Sequence, residues 1–199
     1  MPTKSELIEQ SDLAFDFIQK LYLETSYLIK EVEGILHDEE ERFVIGRPAG
    51  YGITSARSTG LESNSVMQWL MRKLIVFFVP EDKTKVERGQ TITMIDNNLR
   101  VIILRIVFND KNINEPVIYP GVLYKIEKKQ QTKWTKFEHA MGHIEYNGDK
   151  IFKDISEIKF EDAYMKLQGK LKKERLFDIK DSDSIVDIII KPTLALYRK

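Results

Sequence analysis

Three stretches of this sequence carry residue types and spacings that could do chemistry. The first is Gly46-Arg47-Pro48-Ala49-Gly50-Tyr51-Gly52-Ile53-Thr54-Ser55-Ala56-Arg57-Ser58-Thr59-Gly60, which holds four of the ten glycines. A mobile backbone, several hydroxyls and the guanidinium groups of Arg47 and Arg57 could wrap an anion. The phosphate-loop pattern is missing, because no Gly-Lys-Ser/Thr follows. The dinucleotide fingerprint is incomplete, because Ser55 stands where its third glycine would be. A long connector is the simpler reading. The second stretch is Tyr124–Phe137, where Lys125, Lys128, Lys129 and Lys133 interleave with Tyr124, Trp134 and Phe137. Lysines could contact phosphates while Trp134 stacks on a base. The same lysines would also protect an edge hairpin from pairing with another sheet. The third is His139 and His143, flanked by Glu138 and Glu145. On a helix this spacing puts two imidazoles on one face, within reach of one metal ion. The period-2 pattern around Gly142 argues for a strand, which would hold them roughly 13 Å apart. No metal site is expected.

Glu127-Lys128-Lys129 resembles the short Glu-x-Lys element of the PD-(D/E)xK nuclease superfamily. The resemblance implies that Glu127 and a nearby aspartate hold Mg²⁺ while Lys129 positions or activates the attacking water. Asp110, or failing that Asp96, would supply the second carboxylate from the preceding hairpin. The likeness covers only this tripeptide in a chain whose residues are 31% charged. No nucleophile-elbow pattern marks a Ser-His-Asp arrangement. The absence of cysteine excludes disulfides, thiolate metal sites and thiol catalysis. No cofactor is expected, and a non-enzymatic role is the simpler one.

These residues must be positioned by elements that the hydrophobic pattern outlines. Residues 4 to about 42 read as one helix, with Leu7, Ala14, Leu21, Leu28 and Ile35 recurring on a wide apolar stripe. Thr3 or Ser5 can cap it, and Gly34 is its one interior weakness. A helix of this length would reach roughly 50 Å, beyond a typical domain diameter. Phe15, Phe17, Tyr22 and Tyr27 make the stripe too aromatic for a strict zipper, so packing on a sheet or in a bundle is expected. Residues 46–63 read as a glycine-rich loop, with a short strand through Tyr51–Ser55. A short helix is expected at 66–71.

Strands are expected at 74–80, 91–95, 100–108, 117–127, 134–144 and 150–152. Pro120-Gly121 would make a bulge, and Asn147-Gly148-Asp149 a hairpin turn. Asp154 or Ser156 would cap a helix running to Leu176, with a basic outer face at Lys166, Lys170, Lys172, Lys173 and Arg175. The segment 185–190 is ambiguous between strand and helix, and Pro192 should end it. The fold class is therefore α+β. An antiparallel sheet of about five or six strands is packed on one face by a long N-terminal helix and a C-terminal helix. The chain, 1–199, reads as a single domain with 1–45 as a helical arm.

The formal net charge is zero, but its distribution is uneven. Residues 1–45 carry four basic and eleven acidic groups, and both later portions are mildly basic. No apolar run approaches the ~20 residues of a membrane span, and no leader is visible, so a cytoplasmic protein is expected. The function expected is a protein-interaction or regulatory module. Its N-terminal helix would dock a protein partner or a second copy through Leu21, Leu28, Val32 and Ile35, giving a homo-oligomer. Nucleic-acid binding by the lysine-aromatic hairpin is the alternative, and a Mg²⁺-dependent nuclease the third possibility.

Overall fold

The computed structural model describes residues 3–46, 53–54, 70–87, 90–96, 98–129 and 136–199. Helix α1 spans Lys4–His37. Thr3 and Glu6 form a capping box: Thr3 Oγ1 accepts the Glu6 N–H at 3.3 Å, and Glu6 Oε2 accepts the Thr3 N–H at 2.6 Å. The helix passes through Gly34 and stops at His37, short of the expected 42. The next residues, Asp38-Glu39-Glu40-Glu41, would crowd negative charge at the negative end of the helix dipole. Arg42, with φ 43°, then turns the chain back.

One antiparallel sheet forms the centre. Its strands are β1 (Phe43–Ile45), β2 (Ile53–Thr54), β3 (Lys73–Pro80), β6 (Val101–Val107), β7 (Val117–Lys128), β8 (Ile158–Glu161), β9 (Met165–Leu171) and β10 (Glu174–Arg175). The order is β1-β3-β6-β7-β9-β8, with β2 beside β1 on β3 and β10 beside β9 on β7. The hairpin β4 (Thr84–Glu87) and β5 (Gln90–Thr93) forms a separate two-stranded ribbon. The α+β class, the antiparallel sheet and the two terminal helices are as expected.

Both faces of the sheet are covered, where one was expected. This explains why Leu74–Pro80 and Val101–Val107 are buried along their whole lengths. On one face Leu28, Ile29, Val32 and Leu36 of α1 pack with Ile189 and Leu194 near the C-terminus. On the other, Phe137, Ala140, Met141 and Ile144 pack against Phe77, Val79 and Ile103.

Three stretches differ from expectation. Residues 137–146 form helix α2 (Phe137–Tyr146), not a strand. Phe137, Ala140, Met141 and Ile144 step by three, one and three residues, a helical stripe whose polar neighbours imitate alternation. No hairpin follows: Gly148–Ile151 is a single helical turn, α3. Residues 158–171 form the β8–β9 hairpin, not a helix. In β9 the buried residues Met165, Leu167, Gly169 and Leu171 alternate with more exposed ones. Asp162 closes the hairpin by accepting the N–H groups of Tyr164 at 2.8 Å and Met165 at 2.9 Å.

The ambiguous segment is helical. Asp181 caps it, accepting the Ser184 N–H at 2.8 Å. The helix, α4, runs from Ser182–Ile185 through a π-helical stretch, Val186–Ile190, to Lys191–Tyr197. Pro192 does not end it. The wider π turn just before the proline accommodates a residue that cannot donate and whose ring needs room.

The expected bulge also moves. β7 continues through Pro120-Gly121, and the register shifts instead between Tyr124 and Glu127, where Lys125 takes φ 49°. Pro120 accepts the Lys172 N–H at 2.9 Å but cannot return a bond. Its partner strand is interrupted there, into β9 and β10. Gly121 and Gly169 permit the close β7–β9 approach: a Cβ at Gly121 would lie 2.2 Å from the Lys170 carbonyl oxygen.

Candidate functional site: the free half of the N-terminal helix

Every residue from Thr3 to Phe17 is exposed. The helix meets the body only from about Ile18 onward. There Tyr22 donates its hydroxyl to the Met71 carbonyl at 2.7 Å, and its ring lies 5.4 Å from that of Phe108. Ser182 hydrogen-bonds Glu31 further along. The first four turns, roughly 20 Å of helix, therefore stand clear of the sheet.

Their apolar face has a partner nowhere among the described residues. Leu7, Ser11, Ala14, Ile18, Leu21, Thr25, Leu28 and Val32 alternate steps of four and three residues. They form one line along the helix. Thr25, Leu28 and Val32 at the C-terminal end of this line are buried against the sheet. Leu7, Ser11 and Ala14 at its other end are in solvent. Phe15 and Phe17, flanking the line, are 60% and 59% exposed. Beside the middle of α1 lies a cavity of about 490 Å³, lined by Phe17, Leu21, Tyr27, Phe177, Ile179 and Ile185 among others.

The four helix residues singled out from the sequence divide. Leu28 and Val32 are core residues, and no partner can reach them. Leu21 and Ile35 are half-buried and also pack on the core. The free surface lies about one to four turns further toward the N-terminus, at exposed Leu7 and Ala14 and half-buried Ile18.

Asp110 and Glu127 are not brought together. Asp110 follows the end of β6 that pairs with Val117, and its Oδ2 lies 2.5 Å from Lys73 Nζ. Glu127 is ten residues along β7, opposite Lys166, roughly 30 Å away at the spacing of a strand. Asp96, the substitute carboxylate, pairs with Lys83 at 3.0 Å. Lys129 pairs with Glu161 at 2.7 Å. The tripeptide has no second carboxylate from Asp110 with which to build a Mg²⁺ site.

Lys125 and Lys128 are exposed near the end of β7. Lys133, Trp134, Arg47 and Arg57 fall outside the described residues, as does most of the helix expected at 66–71. Of the glycine-rich stretch, Ile53–Thr54 pairs as a strand with Ile75 and Val76, as expected. Lys125 also lines a cavity of about 590 Å³ with Arg100, Lys170, Lys199 and Tyr124, and among the described residues no acidic side chain lines it.

Since 137–146 is helical, His139 and His143 do share a face. His143 Nε2, however, lies 2.6 Å from Asp162 Oδ2. Burial pushes the Asp162 carboxyl up, but the Met165 and Tyr164 amides and His143 outweigh it and hold it below the usual carboxylate range. Among the described residues no group of three or more His, Asp or Glu could hold a metal.

Sequence reasoning passed over Arg105. Its signal was there to see, a single charge inside the apolar run Val101-Ile102-Ile103-Leu104-Arg105-Ile106-Val107. No described helix is long and apolar enough to cross a membrane. No family model, no curated protein and no solved structure matches the chain.

Proposed function

We propose that the protein is an interaction module that self-associates through the free half of α1. One observation carries this: the line buried in the second half of the helix continues into solvent as Leu7, Ala14 and Ile18, with Ser11 its one polar member there. Residues on that line, at Leu7, Ala14, Ile18 and Leu21, have coiled-coil spacing, and a second copy of the same helix supplies a matching line. Helical angles place Phe17 and Tyr27 to one side of it and Phe15 to the other, so the aromatics flank the seam. The cavity beside α1 gives the flanking rings of the second helix a place to pack. Burying half-exposed Leu, Ile and Phe side chains contributes about 25 cal/mol per Å² of apolar area removed from water.

Multi-angle light scattering behind size exclusion tests the proposal. The wild type should elute as an oligomer, and Ile18→Asp with Leu7→Asp as a folded monomer. A wild type that stays monomeric at high concentration sinks it.

A second reading, nucleic-acid binding, is supported by the cation-lined cavity at Arg100, Lys125, Lys170 and Lys199. The Arg100 guanidinium already lies over the Tyr124 ring, 5.9 Å from its centroid. Salt-sensitive fluorescence anisotropy with labelled oligonucleotides, lost in Lys125→Glu with Lys170→Glu, would support it. No binding at low salt would remove it.

A further inference from the structure

Arg105 is the one charged side chain among the buried residues of the sheet's central strands, at 9% exposure. It lies on the face of β6 that carries Val101, Ile103 and Val107. Its guanidinium carbon is 5.5 Å from the Tyr119 ring centroid and 5.1 Å from that of Phe152. The rings position the group but cannot accept its five N–H donors as a carboxylate or phosphate would. Among the described residues the one carboxylate within 4 Å is Asp149, at 3.8 Å, and that same oxygen already receives Lys73 Nζ at 2.9 Å. Among the described residues the guanidinium makes no hydrogen bond. Its N–H groups open onto the cavity and not onto protein acceptors, and a mostly buried cation so placed is stabilised where an anion joins it.

Space for that anion is present. A cavity of about 440 Å³ lies beside the guanidinium, within the usual range for small-molecule sites. Its lining includes Lys73, Asn112, Tyr119, Asp149, Lys153 and Lys173. Asp110, also in the lining, and Asp149 both pair with Lys73, which bridges them at 2.5 and 2.9 Å. Lys153 and Lys173 are exposed and have no ion-pair partner among the described residues. Four cations therefore face two carboxylates, leaving two positive charges unbalanced.

We propose that this cavity binds a small dianionic molecule, its phosphate or carboxylate group seated on Arg105 and covered by Lys153 and Lys173. Arginine suits this role because its planar fork meets two oxygens of one anion at once. Tyr119 and Asn112 provide polar groups for the rest of the ligand. The proposal is independent of self-association through α1, which lies against the opposite face of the sheet.

Isothermal titration with three probes, inorganic phosphate, phenyl phosphate and succinate, tests it and separates the two anion classes. Saturable binding of at least one probe is expected, weakened tenfold or more in Arg105→Met. Because Arg105→Met alters the core as well as the charge, the exposed pair Lys153→Ala and Lys173→Ala is measured alongside, with several-fold weakening expected and thermal stability retained. Tighter binding of phenyl phosphate than of succinate assigns a phosphate monoester, and the reverse order a dicarboxylate. No saturable binding of any probe at millimolar concentrations overturns the proposal. Binding left unchanged by the double lysine variant overturns it too.

Discussion

Leu7 and Leu28 stand on the same line of α1, three heptads apart, yet Leu28 is 9% exposed and Leu7 52%. The same side-chain type on the same face meets the sheet at one end of the helix and solvent at the other. Substitution therefore has opposite readouts at the two positions. Leu7→Asp should leave the melting temperature of the protomer unchanged and reduce the mass in solution. Leu28→Ala should cost about 2–5 kcal/mol of stability, the range for deleting a buried leucine. Chemical denaturation and light scattering on both variants check this. An equal loss of stability in the two would mean that the free half of α1 packs on its own body.

Glu138 of α2 gives a pH prediction. Its Oε1 accepts the Thr93 N–H at 2.9 Å, while Oε2 is buried with no hydrogen-bond partner among the described residues. Burial raises its pKa above the ordinary glutamate value, against the hydrogen bonds from its own backbone and from Thr93 that lower it. A raised carboxyl pKa means that the folded state holds its proton more tightly than the unfolded one. Stability is then lost as pH rises past the ordinary glutamate value toward the folded one. Glu138→Gln keeps the acceptor for Thr93 and removes the buried charge. It should raise the melting temperature at neutral pH and change it little in acid, where the wild-type carboxyl is already protonated. A lower melting temperature at neutral pH would contradict this.

Gly121 lies opposite Leu171 where β7 and β9 come close. A Cβ there would meet backbone, the Lys170 oxygen at 2.2 Å and Leu171 Cα at 2.6 Å, so no side-chain rotation can relieve it. Gly121→Ala should destabilise by about 1–3 kcal/mol, as overpacking does. Gly34→Ala, where a Cβ meets nothing within 4 Å, should stabilise α1 by roughly 0.5–1 kcal/mol. Equilibrium unfolding of the pair gives the comparison. Destabilisation by Gly34→Ala would point to an unseen neighbour at that position.

The sequence was legible where one signal dominated. The apolar runs at 74–80 and 101–107 read as buried strands, and the candidate caps Thr3 and Ser5 marked the start of α1. It misled where two periods coexist. Leu167 and Leu171 are spaced as well for a helix as for a strand, and only pairing with β7 and β8 decides between them. Phe137, Ala140, Met141 and Ile144 show the converse. Which half of α1 is free could not be read at all, because Leu7 and Leu28 are chemically identical and differ only in what lies opposite. Arg105 is not marked by periodicity, because one charge in an apolar run leaves the strand pattern intact, and only its burial sets it apart from the exposed lysines.

Self-association requires that a second copy cover the free apolar line of α1. Sedimentation velocity over a wide concentration series, on the wild type and on Leu7→Asp with Ile18→Asp, addresses it most directly. A wild-type species larger than the 23.3 kDa chain is expected, reduced to the single chain in the variant with its circular dichroism unchanged. A wild type that sediments as one chain throughout, or a variant that associates as the wild type does, would contradict it.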